Sequence, residues 1–202
     1  MGTALPEGVQ RGAGPDGLSP RLGDGVRGRL DDVGVRSMRP ADVARVAELE
    51  AASFSTPWRA STFATLLERP GAELLILEHA EAGVIGYAVL WCILDQGELA
   101  NIAVDRAWQG RGLGSRLLTH TLDAARERGV ETVYLEVRES NEAALRMYGR
   151  FGFSQVAVRR DYYERPREDA RVMMKRLKDG VPDTEATGGG HAILKRPGDD
   201  GA

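Results

Sequence analysis

Cysteine and histidine are scarce in this sequence, and both scarcities exclude some chemistry. Cys92 is the single cysteine among 202 residues, so no disulfide can form within the chain. The three histidines have no ligand spacing with one another or with Cys92, and no G-x-S-x-G sequence occurs. We therefore expect no metal site and no serine triad. Because Cys92 lies in the apolar run 89–94, we expect a buried thiol rather than a nucleophile.

Long apolar runs and an excess of charge of one sign are also missing. No stretch approaches the roughly 18 apolar residues of a membrane span, and the first residues contain no apolar signal region. Residues 35–178 carry 20 acidic and 21 basic side chains, a balance that does not favour a nucleic-acid or membrane surface. We expect a cytoplasmic protein that acts as a monomer, without direct contact to nucleic acid or membrane.

Glycine, which is abundant, separates a core from two ends. Nine of the 25 glycines lie in residues 1–34 and six lie in residues 179–202, and neither segment has helical or strand periodicity. The chain as a whole is 42% hydrophobic, which is enough to bury a core. We predict a disordered N-terminal tail at 1–34, one domain at 35–178 and a disordered C-terminal tail at 179–202.

Hydrophobic periodicity in residues 35–178 predicts a mixed α/β domain. A strand, a helix and a second strand follow one another between residues 101 and 137, so those two strands should pair in parallel. The first predicted elements are a strand at 35–38, a helix that begins at Pro40 with Val43, Val46, Ala47 and Ala51 as apolar positions and Glu50 on the same face, and a helix capped by Thr56 and ended by Pro70 and Gly71. Strands at 73–78, 84–94 and 98–105, a helix at 113–128 and a strand at 132–137 follow. The last elements are a helix at 142–150 capped by Asn141, and strands at 155–158 and 170–175 separated by a long excursion.

A glycine-rich turn lies between the strand that ends at Asp105 and the helix that follows. Residues 108–115 read W-Q-G-R-G-L-G-S. Glycines at 110, 112 and 114 let the backbone approach a ligand closely, and the first N–H groups of the helix lie at the positive end of its dipole. Such a helix start binds phosphate.

Three phosphate-binding patterns compete for this turn, and spacing separates them. The dinucleotide fingerprint G-x-G-x-x-G fits weakly, because residues 106–109 intervene after the strand and Ser115 takes the last glycine position. A P-loop is excluded because no Gly-Lys pair occurs in the chain. The remaining pattern, Q-G-R-G-L-G from Gln109, resembles the pyrophosphate loop Q/R-x-x-G-x-G/A of the GCN5-related N-acetyltransferases (GNAT). The alternative is a glycine-rich turn with no ligand.

Further motifs extend this resemblance over residues 99–153. They read N-I-A-V-D, Q-G-R-G-L-G, L-E-V-R-E-S-N-E-A-A-L-R-M-Y and F-G-F, and in this order they are similar to the RimI group of the GNAT acetyltransferases. Outside that stretch, S-T-P-W at 55–58, R-R-D-Y-Y at 159–163 and E-D-A at 168–170 resemble other motifs of the group. The chain departs from the pattern at Asp161, where asparagine is usual, and at Ser55 and Thr56, around the Phe-Pro of the F-P-W loop.

The resemblance implies a fold, a cosubstrate and a substrate. The fold is a single mixed, mostly antiparallel sheet whose central parallel strand pair is splayed for coenzyme A, with helices on both faces. The cosubstrate is acetyl-coenzyme A, and the substrate is the N-terminal alanine of the eighteenth small-subunit ribosomal protein. Coenzyme-binding residues carried over from the group are Ile102, Ala103, Val104, Gly110, Arg111, Gly112, Leu113, Gly114, Ser115 and Asn141.

Two residues match the group's catalytic positions. An N-terminal amine, with a pKa of about 7.7 to 8.0, must lose a proton before it attacks a thioester, and Glu136 matches the general base. Glu98 is the rival base by position in other members of the superfamily. The departing thiolate needs a proton, which a tyrosine of ordinary pKa, about 10, can supply, and Tyr148 matches the donor. The alternatives are a solvated glutamate at Glu136 and a packing role for Tyr148.

Two other functions remain open at this point: acetylation of other protein N-termini or small amines, and coenzyme binding without catalysis on the same fold. The presence of both Glu136 and Tyr148 argues against a regulator without activity. Two aromatic residues in a loop between helices more often plug the edge of the core than bind a substrate, so we expect that role first for those in the loop 54–58. They could instead wall a peptide groove together with the excursion around Tyr162 and Tyr163, which favours a protein terminus as substrate.

Overall fold

The computed structural model describes residues 29–178, in which one seven-stranded sheet is packed between α-helices. Most of the two predicted tails, at 1–28 and 179–202, lie outside the described residues. The strands and α-helices are, in chain order, β1 (Val33–Ser37), α1 (Val43–Ser53), α2 (Ala60–Leu67), β2 (Ala72–His79), β3 (Gly83–Ile93), β4 (Gln96–Val104), α3 (Leu113–Glu127), β5 (Thr132–Arg138), α4 (Glu142–Arg150), β6 (Ser154–Glu164) and β7 (Arg167–Arg176).

The sheet has the strand order β1-β2-β3-β4-β5-β7-β6. Its neighbouring strands pair antiparallel except for β4 and β5, which are joined by the crossover helix α3 and run parallel. The prediction of a mixed, mostly antiparallel sheet with one central parallel pair is therefore confirmed.

Each face of the sheet buries its own core. Alternation along β2 sends Leu75 and Leu77 to the face covered by α3 and α4, and Leu74 and Ile76 to the face covered by α1 and α2. Full burial of one such side chain contributes about 1.5 to 3 kcal/mol. The two cores explain why β2 and β3 read as continuous apolar runs, and they confirm helices on both faces.

The first strand begins at Val33, two residues before the predicted start at Val35. Val33 is buried and opens β1, and the carbonyl of Asp32 accepts a hydrogen bond of 3.0 Å from the N–H of Ala80. Gly34 pairs with Glu78 within the strand. This glycine obscured the strand in the sequence, because glycine is uncommon in strands and was counted with those of the tail.

The segment before α2 is not helical, so the assignment of Thr56 as a helix cap was wrong. The helix α2 begins at Ala60 and its preceding residue, Arg59, has an extended backbone. One cause is a hydrogen bond of 3.0 Å from the N–H of Trp58 to the carboxylate of Glu50, which holds this segment against α1.

The predicted long excursion near Tyr162 and Tyr163 was also wrong. These tyrosines lie on β6, which continues to Glu164 and pairs with β7, with Tyr163 opposite Glu168. The hairpin was missed because most side chains of β6 are exposed and charged residues fill the second half of the strand, which removes the apolar alternation expected of a strand. A register shift between Arg159 and Tyr163 interrupts the pattern further.

Candidate active site

The strands β4 and β5 part in the middle of the sheet. Their parallel pairing covers residues 96–99 of β4 and 132–135 of β5. Beyond these pairs β4 continues to Val104 against β3, and β5 continues to Arg138 against β7. The backbone of residues 102–104 therefore borders a gap in which an extended ligand with amide groups could pair as an added strand does.

The glycine loop lies directly beyond this end of β4. Gly110 and Gly112 have φ values of 75° and 77°, in the left-handed region that favours glycine. The N–H of Arg116 donates to the carbonyl of Gly112 at 3.0 Å, so the N–H groups of residues 113–115 precede the first hydrogen bond of α3. A Cβ atom at either glycine would meet no heavy atom within 4 Å, which leaves the loop open for an anion.

One side-chain contact joins this loop to the sheet, and another stabilises its first turn. The side-chain amide of Gln109 donates to the carbonyl of Val104 at 2.8 Å, and the carboxylate of Asp105 accepts from the N–H of Ala107 at 3.0 Å. Trp108 is buried in the core beside α3. The loop is therefore held at the end of β4 by contacts within the protein.

Arg111, a predicted phosphate ligand, folds back on its own turn. Its guanidinium donates to the carbonyl of Ala107 at 3.2 Å and lies 5.1 Å from the centre of the Trp108 ring. These contacts stabilise the turn. A phosphate contact by Arg111 stays a prediction.

The short helix α4 lies beside the start of α3. A Cβ atom at Gly114 would lie 3.5 Å from the sulfur of Met147, which places these two helices in close contact. The side-chain oxygen of Asn141 accepts from the N–H of Ala144 at 3.1 Å, which confirms the predicted helix cap. Whether Asn141 also contacts a coenzyme stays a prediction.

Tyr148 is buried on α4, in the core shared with α3. Its ring packs edge-to-face against Phe153, with 5.7 Å between the ring centroids. The packing alternative thus accounts for part of its role. The assignment as proton donor stays a prediction, which the proximity of α4 to the glycine loop supports.

Glu136 lies on β5 and faces away from α3. Its neighbours Leu135 and Val137 pack in the core beside α3, so alternation turns Glu136 to the opposite face. Its carboxylate is 3% exposed and forms an ion pair with Arg159 of β6. The guanidinium of Arg159 also lies 4.6 Å from the centre of the Tyr162 ring.

The rival carboxylate lies on the same face. Glu98 of β4 is in register with Tyr134 of β5, two residues before Glu136. Because Leu99 and Leu135 are the next register pair and both pack beside α3, Glu98 and Glu136 both face the other way. Both glutamates remain candidates for the base.

A third carboxylate, Glu50 of α1, was not identified as a site residue from the sequence. It is buried and accepts hydrogen bonds from the hydroxyl of Tyr87, from the side-chain amide of Asn101 at 3.0 Å, and from the N–H of Trp58. The signal was present, because Glu50 falls at helical spacing among apolar positions of α1. Its contacts join the loop before α2 to β4, next to the gap.

Aromatic residues of that loop pack on the core. Phe54 and Trp58 lie against the core beside α1 and α2, and the Trp58 ring is 5.7 Å from that of Phe63. The core-edge role expected of them is therefore confirmed. Beside them, the hydroxyl of Ser55 accepts a hydrogen bond of 2.7 Å from Arg138, the last residue of β5.

Cys92 is half-buried on β3. Burial raises the pKa of its thiol to about 11, so the thiol is protonated at neutral pH. Within residues 29–178, no group of three or more His, Cys, Asp and Glu side chains is arranged to hold a metal ion. No helix in that range is long and apolar enough to cross a membrane.

The sequence of the region that contains the parted strands and the glycine loop matches a known family. Residues 43–153 match the Acetyltransferase (GNAT) family, a stretch that is more than half of the chain. The chain belongs to the GNAT family and is an N-acetyltransferase.

Two relatives that cover most of the domain carry the same activity in their names. The [ribosomal protein bS18]-alanine N-acetyltransferase of Escherichia coli is 37% identical over 142 residues, covering 69% of this chain and 94% of the relative. The enzyme of the same name from Haemophilus ducreyi is 38% identical over 136 residues, covering 65% of this chain and 92% of the relative.

Solved structures agree with this placement. The crystal structure of the Escherichia coli ribosomal-protein-alanine N-acetyltransferase has a TM-score of 0.67 and 32% identity, covering 76% of this chain and 99% of that one. The Salmonella typhimurium protein yncA, solved with its cofactor acetyl-CoA, has a TM-score of 0.63 and 25% identity, with 76% and 99% covered.

Proposed function

We propose that this chain transfers an acetyl group from acetyl-coenzyme A to the α-amine of the N-terminal alanine of ribosomal protein bS18. The observation that carries the proposal is the gap between β4 and β5, with an open helix N-terminus beyond the end of β4 and a buried carboxylate on β5. The relatives named for this reaction, 37% to 38% identical over more than nine-tenths of their length, favour alanine of bS18 as the acceptor.

The shape of the gap fits an extended coenzyme. Acetyl-coenzyme A, when bound, supplies the acetyl thioester. The backbone of β4 beyond Leu99 can pair with amide groups, and the N–H groups at the start of α3 can bind phosphate oxygens. The residues that we propose for coenzyme binding are Ile102, Ala103, Val104, Gly110, Arg111, Gly112, Leu113, Gly114, Ser115 and Asn141.

Glu136 is our proposed general base. The substrate amine is partly protonated at neutral pH, and the carboxylate of Glu136, directly or through one water, takes that proton before the amine attacks the acetyl carbonyl. Its position on β5, one residue beyond the last pair with β4, supports this role, because the carboxylate then lies where the strands part.

Tyr148 is our proposed acid. Its hydroxyl donates a proton to the sulfur that leaves the acetyl group, and an ordinary tyrosine is protonated at neutral pH. The contact of α4 with the start of α3, through Met147 and Gly114, supports this role, since it brings the tyrosine's helix to the coenzyme side of the sheet.

The acceptor side of the site is walled by two segments. The loop 54–58 and the β6–β7 hairpin both contact Arg138, two residues after Glu136. A chain end with a small first side chain can enter between such walls. A lysine side chain would bring a long stem and a backbone that continues in both directions, which favours an N-terminal amine.

The test is a set of initial rates with acetyl-coenzyme A and four acceptors at equal concentration. They are a peptide beginning with alanine, the same peptide with a blocked N-terminus and an internal lysine, the same peptide beginning with a bulky residue, and a polyamine. We expect the alanine peptide to be acetylated fastest by at least tenfold. Equal rates on the polyamine would contradict the proposal and favour a small-amine acetyltransferase.

A further inference from the structure

Resting on the proposed function, we infer that Arg138 is a positioning residue that holds the two walls of the acceptor groove together and thereby sets the affinity for the peptide. The two walls are the loop 54–58 and the tip of the β6–β7 hairpin, residues 162–168. Arg138 lies at the end of β5 and contacts both. The mechanism of proton transfer assigns no role to it.

The contact with the loop is a single short hydrogen bond. One terminal nitrogen of the Arg138 guanidinium donates to the hydroxyl of Ser55 at 2.7 Å. The loop has a second, separate anchor, because the N–H of Trp58 donates to Glu50 at 3.0 Å. Loss of the Arg138 bond therefore removes the contact that joins Ser55 to β5, while the packing of Phe54 on the core and the Trp58 anchor stay in place.

The contacts with the hairpin are several. The guanidinium donates to the carbonyl of Arg165 at 3.1 Å, to the carbonyl of Pro166 at 3.2 Å and to the carboxylate of Glu168 at 3.2 Å. It also lies 4.0 Å from the centre of the Tyr163 ring. One side chain thus fixes both the turn of the hairpin and an aromatic residue on its strand.

Only arginine can make this set of contacts. Its planar guanidinium presents five N–H donors in fixed directions, and it also lies over the ring of Tyr163. Lysine has the charge and three donors on one nitrogen, which cannot reach four oxygens in different directions. The Arg138 side chain is 22% exposed and that of Glu168 is 15% exposed, so the bond between these two is partly shielded from water, whereas the other three acceptors are exposed.

Glu168 stays ionised in this arrangement. Burial alone would raise the pKa of its carboxyl, but hydrogen bonds from Ser140 and Arg138 outweigh that effect and hold the pKa below its usual value. The ion pair with Arg138 is therefore present throughout the neutral pH range, in which the substrate amine can lose a proton and attack.

The position of Arg138 connects these contacts to the substrate. It lies two residues after Glu136 on β5, so both side chains face the same side of the sheet. The distance between the two walls is thus fixed immediately beside the proposed base. If the walls separate, the peptide loses its contacts on both sides, whereas the coenzyme gap and the glycine loop keep theirs.

The experiment uses the full chain with Arg138→Met and Arg138→Lys, and with Arg171→Met as the matched control. Arg171 lies on neighbouring β7 and pairs with Glu139, so the control also removes an arginine and an ion pair but leaves both walls in place. For both Arg138 variants we expect the KM for the alanine peptide to rise about tenfold, the effect of losing hydrogen bonds to a charged group. The KM for acetyl-coenzyme A should change less than twofold.

A double-mutant cycle links the effect to the loop. Ser55→Ala should raise the peptide KM in the same direction, and the Ser55→Ala, Arg138→Met pair should be no worse than Arg138→Met alone. Hydrogen exchange provides a second readout that needs no substrate. In Arg138→Met, residues 52–58 and 160–168 should both exchange faster, whereas Arg171→Met should change neither segment.

The two possible failures are distinguishable. If the proposed function is wrong, the unmodified chain turns over no alanine peptide. If the inference about Arg138 is wrong, the unmodified chain is active and Arg138→Met has the same peptide KM as Arg171→Met, whether or not its hydrogen exchange changes. Calorimetric binding of acetyl-coenzyme A by each variant shows that it is folded, so a rise in KM cannot come from loss of the native state.

Discussion

The guanidinium of Arg159 forms an ion pair with the carboxylate of Glu136 across the intervening strand β7. The same guanidinium lies 4.6 Å from the centre of the Tyr162 ring. A cation held between a carboxylate and an aromatic face is the arrangement that a protonated amine would also adopt. A substrate amine that approaches Glu136 in its protonated form therefore competes with Arg159.

We predict that Arg159→Met lowers the KM for the alanine peptide severalfold, because it removes this competing cation. If competition from Arg159 costs about 1 kcal/mol of the free energy of peptide binding, its removal raises the affinity for the peptide roughly fivefold. Arg160→Met is the control, since Arg160 is the next residue on β6 and pairs with Asp169. Steady-state kinetics at saturating acetyl-coenzyme A decides the outcome, and a higher KM in Arg159→Met than in Arg160→Met would show that Arg159 binds the peptide.

Glutamine substitutions separate the two candidate bases. We predict that Glu136→Gln lowers the rate of the chemical step by about 10² to 10⁴ at neutral pH, because an amide cannot accept the proton of the amine. Glu98→Gln, on the same face of the sheet, should change the rate little. Single-turnover rates of both variants measure this, and a silent Glu136→Gln beside a damaging Glu98→Gln would reverse the assignment.

The glycine loop can be tested against a matched glycine of the same helix. Gly112 and Gly129 lie at opposite ends of α3, with φ values of 77° and 76° and open space where a Cβ would lie. Valine at either position should therefore strain the backbone to a similar extent, by roughly 1 to 3 kcal/mol. We predict that only Gly112→Val raises the Kd for acetyl-coenzyme A. Equal coenzyme affinity of the two variants would contradict the placement of phosphate at this loop.

The N-terminal boundary of the domain can be tested by truncation. We predict that residues 29–178 retain folding and acetyl-coenzyme A turnover. A chain that begins at residue 35 should be less stable to urea, because it lacks buried Val33 and the carbonyl of Asp32 that accepts from Ala80. Equal midpoints of unfolding for the two chains would show that these contacts contribute nothing.

The parts of the fold with one dominant local signal could be predicted from the sequence. The capping side chain of Asn141 set the start of α4, and the apolar alternation of β5 placed Glu136 on its polar face. The order of strand, glycine loop and helix around Gly110 and Gly112 predicted the parallel pairing of β4 with β5. Each of these signals depends only on residues that lie close together in the sequence, so it can be recognised without knowledge of the tertiary structure.

The residues that join distant segments could not be predicted in this way. Arg138 contacts partners 27 to 83 positions away, and nothing near it in the chain indicates them. Glu50 was visible as a carboxylate among the apolar positions of α1, but its partners Tyr87 and Asn101 lie on β3 and β4. The outer part of the β6–β7 hairpin was missed because charged, exposed side chains conceal its strand character.

Tandem mass spectrometry of ribosomal protein bS18, after incubation with the full-length chain and acetyl-coenzyme A, tests the proposed activity most directly. We predict a single acetyl group on the α-amine of the N-terminal alanine, unmodified lysine side chains, and a much slower reaction with Glu136→Gln. Acetyl groups found only on lysine side chains, or an unmodified protein under conditions in which the chain binds acetyl-coenzyme A, would contradict it.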